Sequence, residues 1–144
     1  MRAALLVGLL VLLAGCGGGR SEGLPAACKE GPEAITKALT RAPGAVTMQG
    51  TPISDCFNKD ANGDDVQIVG GFLLAAAQEL GDRARAGDQK AALQLGYLVG
   101  AARRGARRNG LGAEIVRRLE AETTIGAARQ AAYESGLRAG SAAG

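Results

Sequence analysis

Asp88-Gln89-Lys90-Ala91-Ala92-Leu93-Gln94-Leu95-Gly96-Tyr97-Leu98-Val99-Gly100-Ala101-Ala102-Arg103-Arg104-Gly105-Ala106-Arg107-Arg108 is the stretch that decides the fold. Asp88 is a good N-cap, so a helix is expected over about Gln89–Arg108. At ~100° per residue, Ala91, Leu95, Leu98, Val99, Ala102 and Ala106 share one arc, and Arg103, Arg104, Arg107 and Arg108 lie on the opposite side. Leu93, Tyr97 and Ala101 add a second apolar strip. The first half of the helix is therefore apolar nearly all round, and it belongs at the centre of a helical domain. Gly96 and Gly100 fall on the sector of Arg103 and Arg107. Such spacing lets helices approach closely within membranes, but this helix is too charged to span one. Close packing of a neighbouring helix inside the domain is the expectation.

Outward from this helix, Asp64 with Gln67 three residues on makes a capping box. Val69, Phe72, Leu73, Ala76 and Leu80 form the apolar stripe of the helix that follows, and Gly87 is its preferred stop. Upstream, Pro32 and Glu33 open a short helix to about Arg41, with Ile35, Ala38, Leu39 and Ala42 on one face. Val46 and Met48 alternate with polar neighbours as in a short strand, and Thr51-Pro52 starts one or two helical turns through Phe57. Downstream, Asn109-Gly110 breaks the chain. Leu111, Ile115 and Leu119 give a helix to about Thr123. Thr124 then caps a last Ala-rich helix to about Ala139, and Gly140–Gly144 are expected to be disordered. The fold class read from this pattern is all-α, a small bundle of four or five helices. Ala92-Leu93-Gln94-Leu95-Gly96-Tyr97 faintly resembles part of a tetratricopeptide or Sel1-like repeat, but it occurs once and such arrays need several copies.

The chain opens Met1-Arg2 and runs apolar from Ala3 to Leu13, then continues Leu13-Ala14-Gly15-Cys16. A cation, a short apolar region and small residues before a cut are the marks of an export signal. The apolar run covers about 16 Å as a helix at ~1.5 Å per residue, too short for a hydrocarbon core of ~30 Å. Leu13-Ala14-Gly15-Cys16 resembles the lipobox of bacterial lipoproteins at all four positions. The resemblance covers residues 1–16 alone. It implies diacylglycerol on the sulfur of Cys16, cleavage before it, and acylation of the new amino terminus. The implied location is the outer face of a bacterial membrane. The expected organisation is a signal peptide over 1–15, a lipidated tether over 16–27, one helical domain over 28–139 and a tail over 140–144.

Composition narrows the function. Residues 20–65 carry five Lys or Arg against seven acids, and residues 66–144 carry eleven against seven. This mild basic bias suits an anionic lipid layer or a wall polymer and is far weaker than a nucleic-acid binder needs. Cys28 and Cys56 would share an oxidising compartment, where paired thiols bridge. The chain has no His. That removes the commonest general base, the Ser-His-Asp triads and the His-ligated metals. Ser54 and Lys59 are the nearest Ser-Lys pair but lie in no motif. Asp60-Ala61-Asn62-Gly63-Asp64 resembles the opening of an EF-hand loop, yet Asp65 stands where that loop needs Gly and Gly71 where it needs Glu. No enzyme, metal or cofactor is expected. The leading expectation is a lipid-anchored interaction or structural module with an unidentified protein partner. The alternative is a binder of anionic lipid or wall polymer through Arg103, Arg104, Arg107 and Arg108, whose bland counterpart is a solvated helix end paired with Glu114 or Glu120; an enzyme of unrecognised type ranks third.

Overall fold

A computed structural model describes residues 23–57, 61–106 and 110–144. It shows five α-helices, α1 (Pro32–Leu39), α2 (Gly63–Arg85), α3 (Gln89–Gly105), α4 (Leu111–Ala121) and α5 (Ala127–Ala143). Short 3-10 helices lie at Ala26–Lys29 and Ile53–Phe57. A two-residue strand β1 (Thr47–Met48) pairs antiparallel with β2 (Thr51–Pro52), so Thr51-Pro52 is extended and the helical turns begin only at Ile53. The architecture is an all-α bundle, as the periodicity implies.

Helix α3 is the axis. Ala91, Ala92, Leu95, Leu98, Val99, Ala101 and Ala102 are buried, and so is Tyr97. The Val46 amide donates to the Tyr97 hydroxyl at 3.0 Å, which ties the β-hairpin to the centre of the bundle. On α2 the buried set is Val69, Leu73, Ala76, Ala77, Leu80 and Ala84, while Phe72 is half-buried. Gly87 stops α2 with φ of 112°, a conformation that glycine reaches without strain. The Gly87 amide then donates to Ala84 O and the Asp88 amide to Arg83 O, a Schellman pattern that satisfies the last carbonyls. Asp88 does cap α3: its Oδ1 accepts from the Ala91 amide at 3.0 Å, and its Oδ2 holds Arg83 at 2.7 Å.

The pair α3–α5 makes the closest helix–helix contact among the described residues. A Cβ on Gly96 would fall 2.0 Å from Tyr133 O, and one on Gly100 would fall 2.3 Å from Leu137 O. Reciprocally, a Cβ on Gly136 would lie 1.9 Å from Leu93 O and one on Gly140 would lie 2.1 Å from Tyr97 O. The contacts advance together along both helices, so α5 runs parallel to α3, backbone against backbone. The expectation that Gly96 and Gly100 admit a neighbouring helix is met.

Several boundaries differ from those read from sequence. The cap of α2 is Asn62, whose Oδ1 accepts from the Asp65 amide at 2.8 Å, and Asp64 lies inside the first turn. Asn62 wins because its side chain already meets an amide three residues on. Helix α3 ends at Gly105, short of Arg108, where Ala106 turns extended with ψ of 149°; a Cβ on Gly105 would sit 2.1 Å from Ser54 O, so the Ile53–Phe57 turn packs over that end. Thr124 is not a cap: Ile125 is buried, and Gly126 precedes α5 with φ of 82°. The segment 140–144 is not a disordered tail. Helix α5 continues to Ala143, because Gly140 packs on the Tyr97 carbonyl. Nor does the domain begin at residue 28. Leu24 and Ala27 are buried, and the Leu24 amide donates to Asp65 Oδ2 at 2.9 Å.

Candidate functional site

Cys16 lies outside the described residues, so the site that can be built is where the chain from it enters the domain. Asp65, in the first turn of α2, is the clamp. Its Oδ2 takes the Leu24 amide and the Lys29 Nζ at 2.7 Å, while its own amide is held by Asn62. The Lys29 hydrogen bond holds the Asp65 carboxyl below its ordinary 3.8; partial burial opposes this, and the Leu24 amide and Asn62 reinforce it. A carboxylate at a helix N-terminus is also favoured by the helix dipole. Sequence reasoning missed this clamp, since Leu24 and Lys29 are 41 and 36 positions from Asp65 and no local pattern links them.

Cys28 and Cys56 are bridged, with S–S of 2.05 Å and Cα–Cα of 5.5 Å, as expected. The bridge joins the two 3-10 helices and so fastens the entry segment to the turn that covers the end of α3. The N-terminal end of α2, the C-terminal end of α3 and the N-terminal end of α4 thus gather at the end of the bundle where the chain enters.

The arginine face is only half visible, because Arg107 and Arg108 lie outside the described residues. Arg103 and Arg104 are both exposed, as the helical projection requires. Arg103 is bound to Glu120 through Nε and a terminal nitrogen, both at 2.8 Å. Arg104 donates to the carbonyls of Ser141 and Ala142, capping the C-terminus of α5, where a cation is favoured. Both guanidiniums therefore already have acceptors. Beside them burial pushes the Tyr133 phenol above its ordinary 10.0.

The other residues singled out from sequence do not come together. Ser54 is buried and Lys59 lies outside the described residues, as does Asp60. Asn62 and Asp65 are engaged in capping and clamping. Among the described residues, no group of three or more His, Cys, Asp or Glu is placed to hold a metal ion. No helix among them is long and apolar enough to cross a membrane. Gln94 is buried in α3 and its Oε1 meets no hydrogen-bond donor.

One surface was not anticipated. Leu111 belongs to the apolar face of α4 by spacing, yet it is 46% exposed, and Ile68 on α2 is 54% exposed. Leu111 flanks a groove between α2 and α4 formed with Gln67, Gly71, Leu74, Ile115 and Arg118. Ile115 fills the space over Gly70, where a Cβ would lie 2.6 Å from its Cδ1, but nothing covers Gly71. Glu114 on the rim is held by Arg118 at 2.8 Å and by Arg117, which keep its carboxyl below the ordinary 4.5.

No family model, curated protein or solved structure matches the chain.

Proposed function

We propose that this protein is a lipid-anchored module of a bacterial cell envelope, held on the outer face of a membrane through acylated Cys16 and acting there by non-covalent contact rather than by catalysis. The observation that carries the reading is Leu13-Ala14-Gly15-Cys16 after the apolar run Ala3–Leu13. The Cys28–Cys56 bridge supports it, because disulfides persist in oxidising compartments outside the cytosol. The fold supports it as well. The described domain begins seven positions after Cys16, and Asp65 clamps the chain at that point, so pull from an anchor would be borne by a fixed end of the bundle.

Two or more acyl chains give stable membrane attachment where one gives only marginal binding. The protein extracted from bacterial membranes should therefore have the mass of a chain beginning at Cys16 plus its lipid. A chain that starts at Met1, or beyond Cys16, and carries no lipid would overturn the reading.

A further inference from the structure

The groove between α1 and the β-hairpin is closed at both ends. Ala34, Lys37 and Ala38 share one face of α1, and Arg41 follows in the turn after it, its amide bonded to Ala38 O. The opposite wall is β1, which contributes the buried Met48. At one end Arg41 donates to Thr47 O at 2.8 Å, and at the other the Gln49 side-chain amide donates to Glu30 Oε1. Between these ties lies a trough of about 260 Å³, open because Ala34 and Ala38 are small. Gln49 has φ of 48° and forms the two-residue hairpin loop with Gly50 at 83°; among the described residues no other non-glycine has positive φ. That loop position favours Gly, Asn or Asp. Backbone strain is therefore borne at the residue whose side chain closes the trough onto Glu30.

Charge is divided along the trough. Arg41 spends one guanidinium nitrogen on Thr47, and Lys37 stands exposed one turn before it, while Glu30 keeps its second carboxylate oxygen clear of the Gln49 bond. Among the described residues none of these three charges is in an ion pair. From Thr47 to Gln49 is two extended residues, about 7 Å, which is the reach of a dipeptide. We infer that the trough binds the zwitterion of a short peptide of about two residues. Its carboxylate meets Lys37 and Arg41, its ammonium meets Glu30, and its small side chains lie over Ala34 and Ala38. The lining is confined to residues 30–49, and the inference does not depend on the anchor at Cys16.

The test titrates the membrane-extracted chain with dialanine and follows its amide resonances by NMR. Saturable shifts should centre on residues 34–41 and 47–50. Dialanine amide, which lacks the carboxylate, and N-acetyl-dialanine, which lacks the ammonium, should each bind about fivefold more weakly, the upper worth of an exposed ion pair. Free alanine is too short to reach both ends and should lose a similar factor. Glu30→Gln keeps an acceptor for Gln49 but no charge, so dialanine and its N-acetyl form should become equal. Lys37→Gln should shrink the preference for the free acid over the amide. Ala34→Leu, which thermal melts should show folded, should abolish binding by filling the trough. Equal binding of dialanine and its amide, or of inorganic phosphate, would overturn the inference and leave a plain anion patch. Shifts centred elsewhere, or no saturation by about 10 mM, would overturn it too.

Discussion

Two helix pairs carry glycines at their contact faces, and they come out opposite. In α3–α5, Gly96 and Gly100 face Gly136 and Gly140 in register, and each would drive a Cβ into a carbonyl within 2.3 Å. The backbones meet and nothing else fits between them. In α2–α4, Gly70 receives the Ile115 side chain, while Gly71 faces open space and leaves Leu111 exposed. A glycine on a helix face therefore has no meaning by itself. Its meaning comes from the partner: glycines in register on both helices close an interface, a glycine that receives a side chain, like Gly70, is filled, and one that receives none, like Gly71, borders a groove. The closed pair is structure, and the open pair is surface available for contact.

Separate attacks on the two pairs sharpen the comparison. The largest effect is expected from the Cys28–Cys56 bridge, whose reduction should cost about 3 kcal/mol through the freed unfolded chain. Hydrogen exchange should then quicken across residues 24–57 and the first turn of α2, while the facing amides of α3 and α5 stay protected. Loss of protection in α3–α5 to the same extent would show that the glycine interface does not stand alone. Next comes Tyr97→Phe, which strands the buried Val46 amide and should cost about 1–2 kcal/mol by chemical denaturation, without altering the α5 contact. On the open pair, Leu111→Ser should change stability by less than about 0.5 kcal/mol. A loss of several times that would mean the groove is packed in solution.

The smallest effect is at Asp65. Its folded-state pKa is depressed, so the stability it contributes is present above pH 3.8 and is lost as pH falls through the lower folded value. The Leu24 amide resonance should titrate with a midpoint below 3.8. A midpoint at or above 3.8 would mean that the clamp on the entering chain is absent.

What was legible in the sequence follows the same division. The α3 stripe, the Gly87 stop, the Asp88 cap and the close approach at Gly96 and Gly100 all rest on spacing within one helix, and periodicity reads such spacing directly. The partner of those glycines was not legible, because Gly136 and Gly140 look like part of an Ala-rich helix fading into a tail. Their role appears only once α5 lies parallel to α3. Asn62 outcompeted Asp64 as a cap by a two-residue shift that composition does not resolve. The clamp of Asp65 on Leu24 and Lys29 joins distant segments, so the tether was drawn too long. Leu111 joins Ile115 and Leu119 by spacing, which signals a helix and cannot reveal that Gly71 across the groove offers it nothing to pack on. Of the candidate site, the disulfide was legible, and the exposure of Leu111 at the α2–α4 groove was not.

The contrast between the two pairs is tested most directly by thermal melts of Gly136→Ala and Gly71→Ala side by side. Gly136→Ala forces a Cβ to 1.9 Å from Leu93 O, which rigid backbone cannot relieve, and should destabilise by about 3 kcal/mol, a fall in Tm of roughly 10 °C. Gly71→Ala meets nothing within 4 Å and gains helix propensity, so it should stabilise by about 0.5–1 kcal/mol and raise Tm by a few degrees. Shifts of opposite sign are the predicted result. Shifts of the same sign, or a neutral Gly136→Ala, would contradict the account.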